Sequence, residues 1–262
     1  MLGEVSRQQI RSKIRIAQIR GVPEKGNIKA NHSQLMSILG RLGKTSVDVV
    51  VTPECFLDGY IASDPDIRSQ DLAQYAVDPA RADPFVESVA RWAADRSAWM
   101  ILCCMRVSAQ GVFNTALAFD REGRLRGMYD KTHCQTHDHK FIPGMELRAF
   151  QSDFGPFGIV ICADRRWPET VRTLALRGAR IIFNPSYGMH DERNLHMMQT
   201  RSYESEVFIA FTHPRQSLIT GPAGDIIINE RGDDFGAVVT EIDLSQADVI
   251  REQDTSHLRC RR

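Results

Sequence analysis

The sequence predicts an α/β fold in which mixed sheets are covered by helices. Three observations carry that expectation. Strand-like and helix-like segments interleave early in the chain, hairpin signals dominate its middle and end, and no low-complexity tract or evident linker divides it.

The elements follow in order. After a polar leader over residues 1–12, alternating apolar residues from Lys13 to Ile19 read as a strand, and Gly26 to Leu42 places Ile28, Leu35, Ile38, Leu39 and Leu42 at helical spacing. The valine-rich run Val47 to Thr52 reads as a buried strand. A Pro- and Asp-rich stretch, Asp58 to Asp71, then leads to an amphipathic helix at Asp83 to Ser97 with Phe85, Val89, Trp92 and Ala93 on its apolar face. Strands are expected at Trp99 to Val107, Phe113 to Phe119 and Leu125 to Tyr129, the last two joined by the turn Asp120-Arg121-Glu122-Gly123. Phe157 to Ile161 is a further strand. Pro168 opens a helix that runs to Arg177 and stops at Gly178, and Ile181 to Phe183 is the next strand. A helix over Glu192 to Glu206 precedes strands at Val207 to Thr212, Ser217 to Thr220, Ile226 to Asn229 and Ala237 to Ile242. Residues 13–262 are expected to form one domain.

Composition narrows the function classes. The 262 residues carry 33 basic and 33 acidic side chains with 42% apolar content, so no broad field would attract nucleic acid or an anionic membrane, and the basic tail Arg259 to Arg262 is too short to change that. No apolar run approaches the roughly 20 residues of a membrane span, and no apolar signal region stands at the N-terminus, so a cytoplasmic protein is expected. The six cysteines, Cys55, Cys103, Cys104, Cys134, Cys162 and Cys260, include no C-x-x-C pair. Reduced thiols follow, one of them a candidate nucleophile. Cys103 and Cys104 are adjacent in a strand, where side chains face opposite ways, and core packing is their expected role.

The chemistry concentrates at strand ends. Cys162 lies between the strand Gly158 to Ile161 and the helix opening at Pro168, where backbone N–H groups and a helix dipole would favour thiolate. A thiol nucleophile needs a proton acceptor and a group that stabilises an oxyanion. Glu54, just after Val49-Val50-Val51-Thr52-Pro53, and Lys131, just after Gly127-Met128-Tyr129-Asp130, emerge from two other strands and supply them.

Pro53-Glu54 with Gly59-Tyr60, Asn114 with Gly123, Tyr129 to His133, and Cys162 with Asp164-Arg165-Arg166-Trp167-Pro168-Glu169 form an ordered set. Arg201, Glu204, Pro222, Gly224 and Ile242-Asp243-Leu244 extend it over nearly the whole chain. In this set the chain resembles the nitrilase superfamily of carbon–nitrogen hydrolases. The resemblance implies a four-layer α-β-β-α sandwich, a homodimer or higher homo-oligomer, and a Glu54, Lys131, Cys162 triad that forms a thioester and releases ammonia with no metal or organic cofactor. Many members also carry a second glutamate before an aromatic-x-Pro-Gly turn. Here that turn is Phe141-Ile142-Pro143-Gly144, and no glutamate stands in Gln135 to Lys140; His137 or Asp138 could hold the position.

The segment from Cys162 to Glu169 is similar to that of N-carbamoyl-D-amino-acid amidohydrolases, in which paired arginines hold the substrate carboxylate, whereas most other branches carry an apolar residue at the first arginine. Arg165 and Arg166, with His137, Asp138 and Tyr60, are therefore the candidate substrate-binding residues for an amide or carbamoyl substrate, the arginines suiting one that bears a carboxylate. A local scaffold role, either arginine pairing with Asp164 or Glu169, is the plain alternative. Two other functions compete: a metal hydrolase built on His133, His137 and His139, and a non-catalytic scaffold that lost turnover with the second glutamate.

Overall fold

The computed structural model describes residues 11–253 and 255–258. The leader before residue 11, the tail from Arg259 and Cys260 lie outside the described residues.

Among the described residues, twelve strands form two six-stranded sheets. The first has the order β12 (Gly236–Asp243), β1 (Lys13–Arg20), β2 (Val49–Val51), β3 (Trp99–Ser108), β4 (Gly111–Phe119) and β5 (Leu125–Asp130). The second runs β11 (Ile226–Arg231), β10 (Gln216–Thr220), β9 (Phe208–His213), β8 (Ile181–Pro185), β7 (Phe157–Ile159) and β6 (Ala149–Phe150). Each contains three parallel strands, β1-β2-β3 and β7-β8-β9, extended on one side by antiparallel hairpins and closed on the other by one antiparallel strand. The parallel crossovers are α1 (Ile28–Arg41) and α2 (Pro84–Arg96) over the first sheet, α3 (Pro168–Leu176) and α4 (Glu192–Ser205) over the second. A last helix, α5 (Ser245–Glu252), follows β12.

Strand periodicity builds the layers. In β2, Val49 and Val51 face the other sheet while Val50 faces the helices, and β3 sends Ile101 and Cys103 inward but Met100, Leu102 and Cys104 outward. Cys103 and Cys104 thus lie in different cores and both are free thiols. Leu35, Ile38 and Leu39 of α1 and Val86, Val89 and Ala93 of α2 close the outer face of the first sheet; Val171, Leu174 and Met198 close that of the second. The result is the four-layer α-β-β-α sandwich. Among the described residues, no helix is long and apolar enough to cross a membrane.

Helix ends follow their sequence signals. Asp83 caps α2 by accepting the Phe85 and Val86 N–H groups at 3.0 and 3.1 Å, with Pro84 in the first turn, and Asp191 caps α4 through the Asn194 N–H at 3.2 Å. Both helices end on a left-handed residue, Ser97 and Glu206.

Candidate active site

β2 ends at Val51, and the chain turns back on itself within ten residues, with left-handed backbone at Cys55, Gly59 and Tyr60. Gly59 is required there: a Cβ would stand 2.1 Å from the Glu24 carbonyl oxygen. Asp58 fastens the turn by accepting the Met105 N–H at 2.7 Å and the Tyr60 N–H at 3.0 Å. Burial raises its carboxyl to about 7 against the lowering effect of these N–H groups.

This turn leaves Glu54 fully buried. Its Oε1 accepts from Lys131 Nζ at 2.9 Å and from Asn114 Nδ2 at 2.8 Å, while Oε2 has no hydrogen-bond partner among the described residues. Asn114 also accepts the Lys131 backbone N–H, at 2.9 Å, so one buried side chain and its own carbonyl fix two of the three expected catalytic groups. Its signal in the sequence is the polar pair Asn114-Thr115 within the otherwise apolar strand β4, Gly-Val-Phe-Asn-Thr-Ala-Leu-Ala-Phe.

Lys131 donates a second hydrogen bond, 2.7 Å, to Asp138 Oδ2. Burial alone would favour the neutral amine, but Glu54, Cys162 and Asp138 outweigh it and raise the pKa well above that of an ordinary lysine. The opposite holds for Asp138. Burial would raise its carboxyl, yet Lys131, the Tyr60 hydroxyl and the Gln135 N–H at 2.9 Å keep it below the usual carboxylate range. Tyr60 donates to Asp138 Oδ1 and remains a protonated donor, because burial first and then the charges of Glu54 and Asp138 push its phenol upward. Asp138 thus meets the lysine from a short 3-10 turn, Thr136–Asp138, where the sequence reading sought a second acid.

Cys162 enters from the other sheet. The strand stops at Ile159, and Cys162 opens a 3-10 turn, Cys162–Arg166, with φ of 45°, a left-handed conformation that costs a non-glycine residue about 1–3 kcal/mol. This corrects one expectation. The thiol does not sit at a helix N-terminus, since α3 begins only at Pro168 and a helix dipole acts mainly within its first turn. Instead the Arg165 Nη1 lies 3.4 Å from Cys162 Sγ.

Asp164 ties the two sheets' contributions together. Its Oδ2 accepts from Tyr129 Oη at 2.7 Å and the Ile161 N–H at 2.9 Å; its Oδ1 accepts from Thr132 Oγ1 at 3.0 Å and the His133 N–H at 2.8 Å. The lysine loop and the cysteine turn are thereby held by one buried carboxylate.

The carbon-nitrogen hydrolase family model matches residues 13–252. The chain belongs to the carbon–nitrogen hydrolase family. The solved structure of Saccharomyces cerevisiae Nit3, a member of branch 10 of the nitrilase superfamily, superposes with a TM-score of 0.82 at 21% identity, over 96% of this chain and 98% of that one. Among curated relatives, a nitrilase of Pyrococcus abyssi is 27% identical over 254 residues, 88% of this chain and 90% of its own length. A hydrolase of the Staphylococcus aureus agr operon is 25% identical over 247 residues, 87% and 90% respectively.

In this carbon–nitrogen hydrolase the remaining candidate residues part company. Arg165 is 1% exposed and already has a partner for every donor: Nε binds Asn194 Oδ1 at 2.7 Å, Nη2 the Met189 and Gly188 carbonyls at 2.8 and 3.2 Å, and Nη1 both Cys162 Sγ and Ser186 Oγ, the latter at 3.5 Å. Neither Asp164 nor Glu169 is among those partners. Arg166 is exposed, with Nη2 3.8 Å from Met189 Sδ. The two arginines therefore do not form a paired clamp. The histidines separate as well: His133 Nδ1 lies 3.0 Å from Asp164 and its ring stacks on Trp167, His137 is half-exposed beside Tyr60, and His139 Nδ1 lies 2.8 Å from the Thr136 carbonyl. Among the described residues, no three His, Cys, Asp or Glu side chains converge as a metal site. A groove of about 610 Å³ lies elsewhere, along Arg106, Phe113, Met128, Ile142 and Glu146, and includes none of Glu54, Lys131 and Cys162.

Proposed function

We propose that this carbon–nitrogen hydrolase cleaves a primary amide or N-carbamoyl group through a thioester on Cys162, with Glu54 as general base and Lys131 as the oxyanion-stabilising cation. The observation that carries this reading is the division of labour within Glu54. Oε1 is occupied by Lys131 and Asn114, so the carboxylate is immobilised, whereas the buried Oε2 has no partner among the described residues and is left to accept a proton. Lys131 likewise spends two of its three N–H donors on Glu54 and Asp138, leaving one for a substrate oxygen.

The steps follow from these groups. The thiol proton passes to Glu54 as sulfur attacks the carbonyl carbon, and the carbonyl electrons move to oxygen, where Lys131 and a backbone N–H hold the charge. Collapse of this adduct breaks the C–N bond. Glu54 returns its proton to the departing nitrogen, and ammonia leaves. Water then attacks the thioester, gives a proton to Glu54 and expels the sulfur, which regains that proton.

A substrate carboxylate would have to be met by the exposed Arg166, because the Arg165 donors are already engaged, and neutral amides are therefore favoured over N-carbamoyl amino acids. Asp138 on Lys131 also weakens the idea of a scaffold that lost turnover for want of a second acid. The test is ammonia release from a panel of aliphatic amides and carbamoyl amino acids, with intact-mass detection of an acyl adduct. Cys162→Ala is expected to abolish both signals; release that survives in this variant would overturn the thioester route.

A further inference from the structure

Arg165 is the largest fully buried side chain of the protein's described residues, and a buried guanidinium must have a compensating charge or a complete set of hydrogen bonds. Among the described residues, no carboxylate hydrogen-bonds to it. Four of its contacts are neutral oxygens, from Asn194, Ser186, Gly188 and Met189, the fifth is Cys162 Sγ, and its face lies 5.1 Å from the centre of the Phe211 ring. The one partner able to carry a full negative charge is the sulfur.

The surroundings of that sulfur bear on the same point. Glu54 reaches the site from the turn after β2, Lys131 and Asp138 from the segment after β5, Tyr60 from its own turn, and Arg165 from the cysteine turn. Once Glu54 has taken the thiol proton, Asp138 is the carboxylate that still pairs with Lys131. Among the described residues, Arg165 is the cation whose guanidinium contacts the sulfur.

We propose that Arg165 is a positioning residue that stabilises the Cys162 sulfur as its proton leaves and pins the Gly188–Met189 segment against the cysteine turn, in place of binding a substrate carboxylate. The inference rests on Cys162 being the nucleophile. In the ionisation the S–H bond breaks, its proton bonds to Glu54 Oε2, and the charge left on sulfur faces Nη1. No other reactant is required. Arg201 supports the arrangement from α4, donating to the Arg165 and Arg166 carbonyls at 3.1 and 2.9 Å, so the turn that carries the cation is itself fixed.

The experiment is the pH profile of Cys162 alkylation by iodoacetamide, mapped by peptide mass, in the full chain and in Arg165→Met, Arg165→Lys and Asn194→Ala. In Arg165→Met the rate at neutral pH is expected to fall about tenfold and the midpoint to move to higher pH, as expected when a cation beside a thiolate is removed. Arg165→Lys should recover most of the profile. Turnover in Arg165→Met should fall equally for a neutral amide and a carbamoyl amino acid, in kcat and not in KM. A folded Arg165→Met protein with an unchanged profile would overturn the proposal, as would a KM increase confined to carboxylate substrates. Should loss of the buried cation prevent folding, Asn194→Ala carries the test: it keeps the guanidinium but frees Nε, and a smaller shift in the same direction is expected, whereas an unchanged profile again refutes the role. Ammonia release that survives Cys162→Ala would instead refute the thioester route beneath it.

Discussion

Asp138→Asn separates the charge of the lysine's second partner from its shape. The carboxylate is fully buried and bonds Lys131 Nζ at 2.7 Å, the Gln135 N–H at 2.9 Å and the Tyr60 hydroxyl. An amide keeps the volume and can still accept from Tyr60 with its oxygen. Its NH2 would then face both Lys131 and the Gln135 N–H, turning two attractive contacts into donor–donor ones. Removing one partner of a buried ion pair costs about 3–5 kcal/mol, and the retained Glu54 contact argues for the lower end, near 3. At about 2–4 °C per kcal/mol for a chain of this size, the melting temperature should drop by roughly 6–12 °C. Turnover should fall about tenfold to a hundredfold, less than for loss of Lys131, the proposed oxyanion donor, because the lysine remains but is held by one carboxylate. The pH dependence gives a second check. The folded-state pKa of Asp138 is depressed, so its stabilisation is present above the unfolded value near 3.9 and is lost as pH falls through the folded one. Urea titrations should therefore show a gap between the wild type and Asp138→Asn at neutral pH that narrows on acidification. A gap that persists unchanged in acid, or turnover within twofold of wild type, would refute the assignment of this carboxylate as the lysine's anchor.

Two further outcomes test the turn that delivers Glu54. Gly59→Ala must place a methyl 2.1 Å from the Glu24 carbonyl at a φ of 65°, so backbone has to move; a loss of at least about 2 kcal/mol in urea unfolding is expected, with activity falling further than stability. Asp58→Asn should alter the pH profile in the sense opposite to Asp138. The Asp58 pKa is raised, so between about pH 4 and 7 the native state binds more protons than the unfolded chain and stability declines as pH rises. The wild-type advantage over Asp58→Asn should accordingly shrink across that window, whereas a constant difference would show that burial does not hold this carboxyl protonated.

Most elements were legible because each sheet is buried on both faces along its parallel strands, which leaves near-continuous apolar runs such as Val49-Val50-Val51 and Ile181-Ile182-Phe183. Two elements escaped. β6 is only Ala149–Phe150, too short for any period, and α5 buries Ala247 alone, so its apolar face is faint in the sequence. The site divides in the same way. Glu54, Lys131 and Cys162 stand immediately beyond strands and were readable as a group, as was the place of Asp138. The commitment of Arg165 was not: its partners Gly188, Met189 and Asn194 lie 23, 24 and 29 residues away, and which donors they consume depends on how α4 and the segment before it pack against the cysteine turn.

The separation of the groups between two sheets sets a demand that apolar packing alone does not meet. Glu54 and Lys131 extend from the first sheet and Cys162 from the second, so a small slide between the layers would move sulfur away from the carboxylate while leaving both cores buried. Contacts in the shared apolar layer are non-directional and resist such a slide weakly. Directional bonds cross the gap on either side of the site. Gln18 of β1 donates to the Phe211 carbonyl and Thr212 Oγ1 of β9 at 2.8 and 3.1 Å, the Glu54 N–H reaches the Ser186 carbonyl at 3.4 Å, and Asp164 binds Tyr129, Thr132 and His133 from the opposite sheet. Each is buried or nearly so, where an unmade hydrogen bond costs about 1–3 kcal/mol, so displacement of one layer forfeits several at once. Registry between the sheets is thus enforced by directional bonds from Gln18, from Asp164 and from the backbone of Glu54 itself, and the strained backbone at Cys162 can persist because its turn is anchored through Asp164 and Arg165 on both sides.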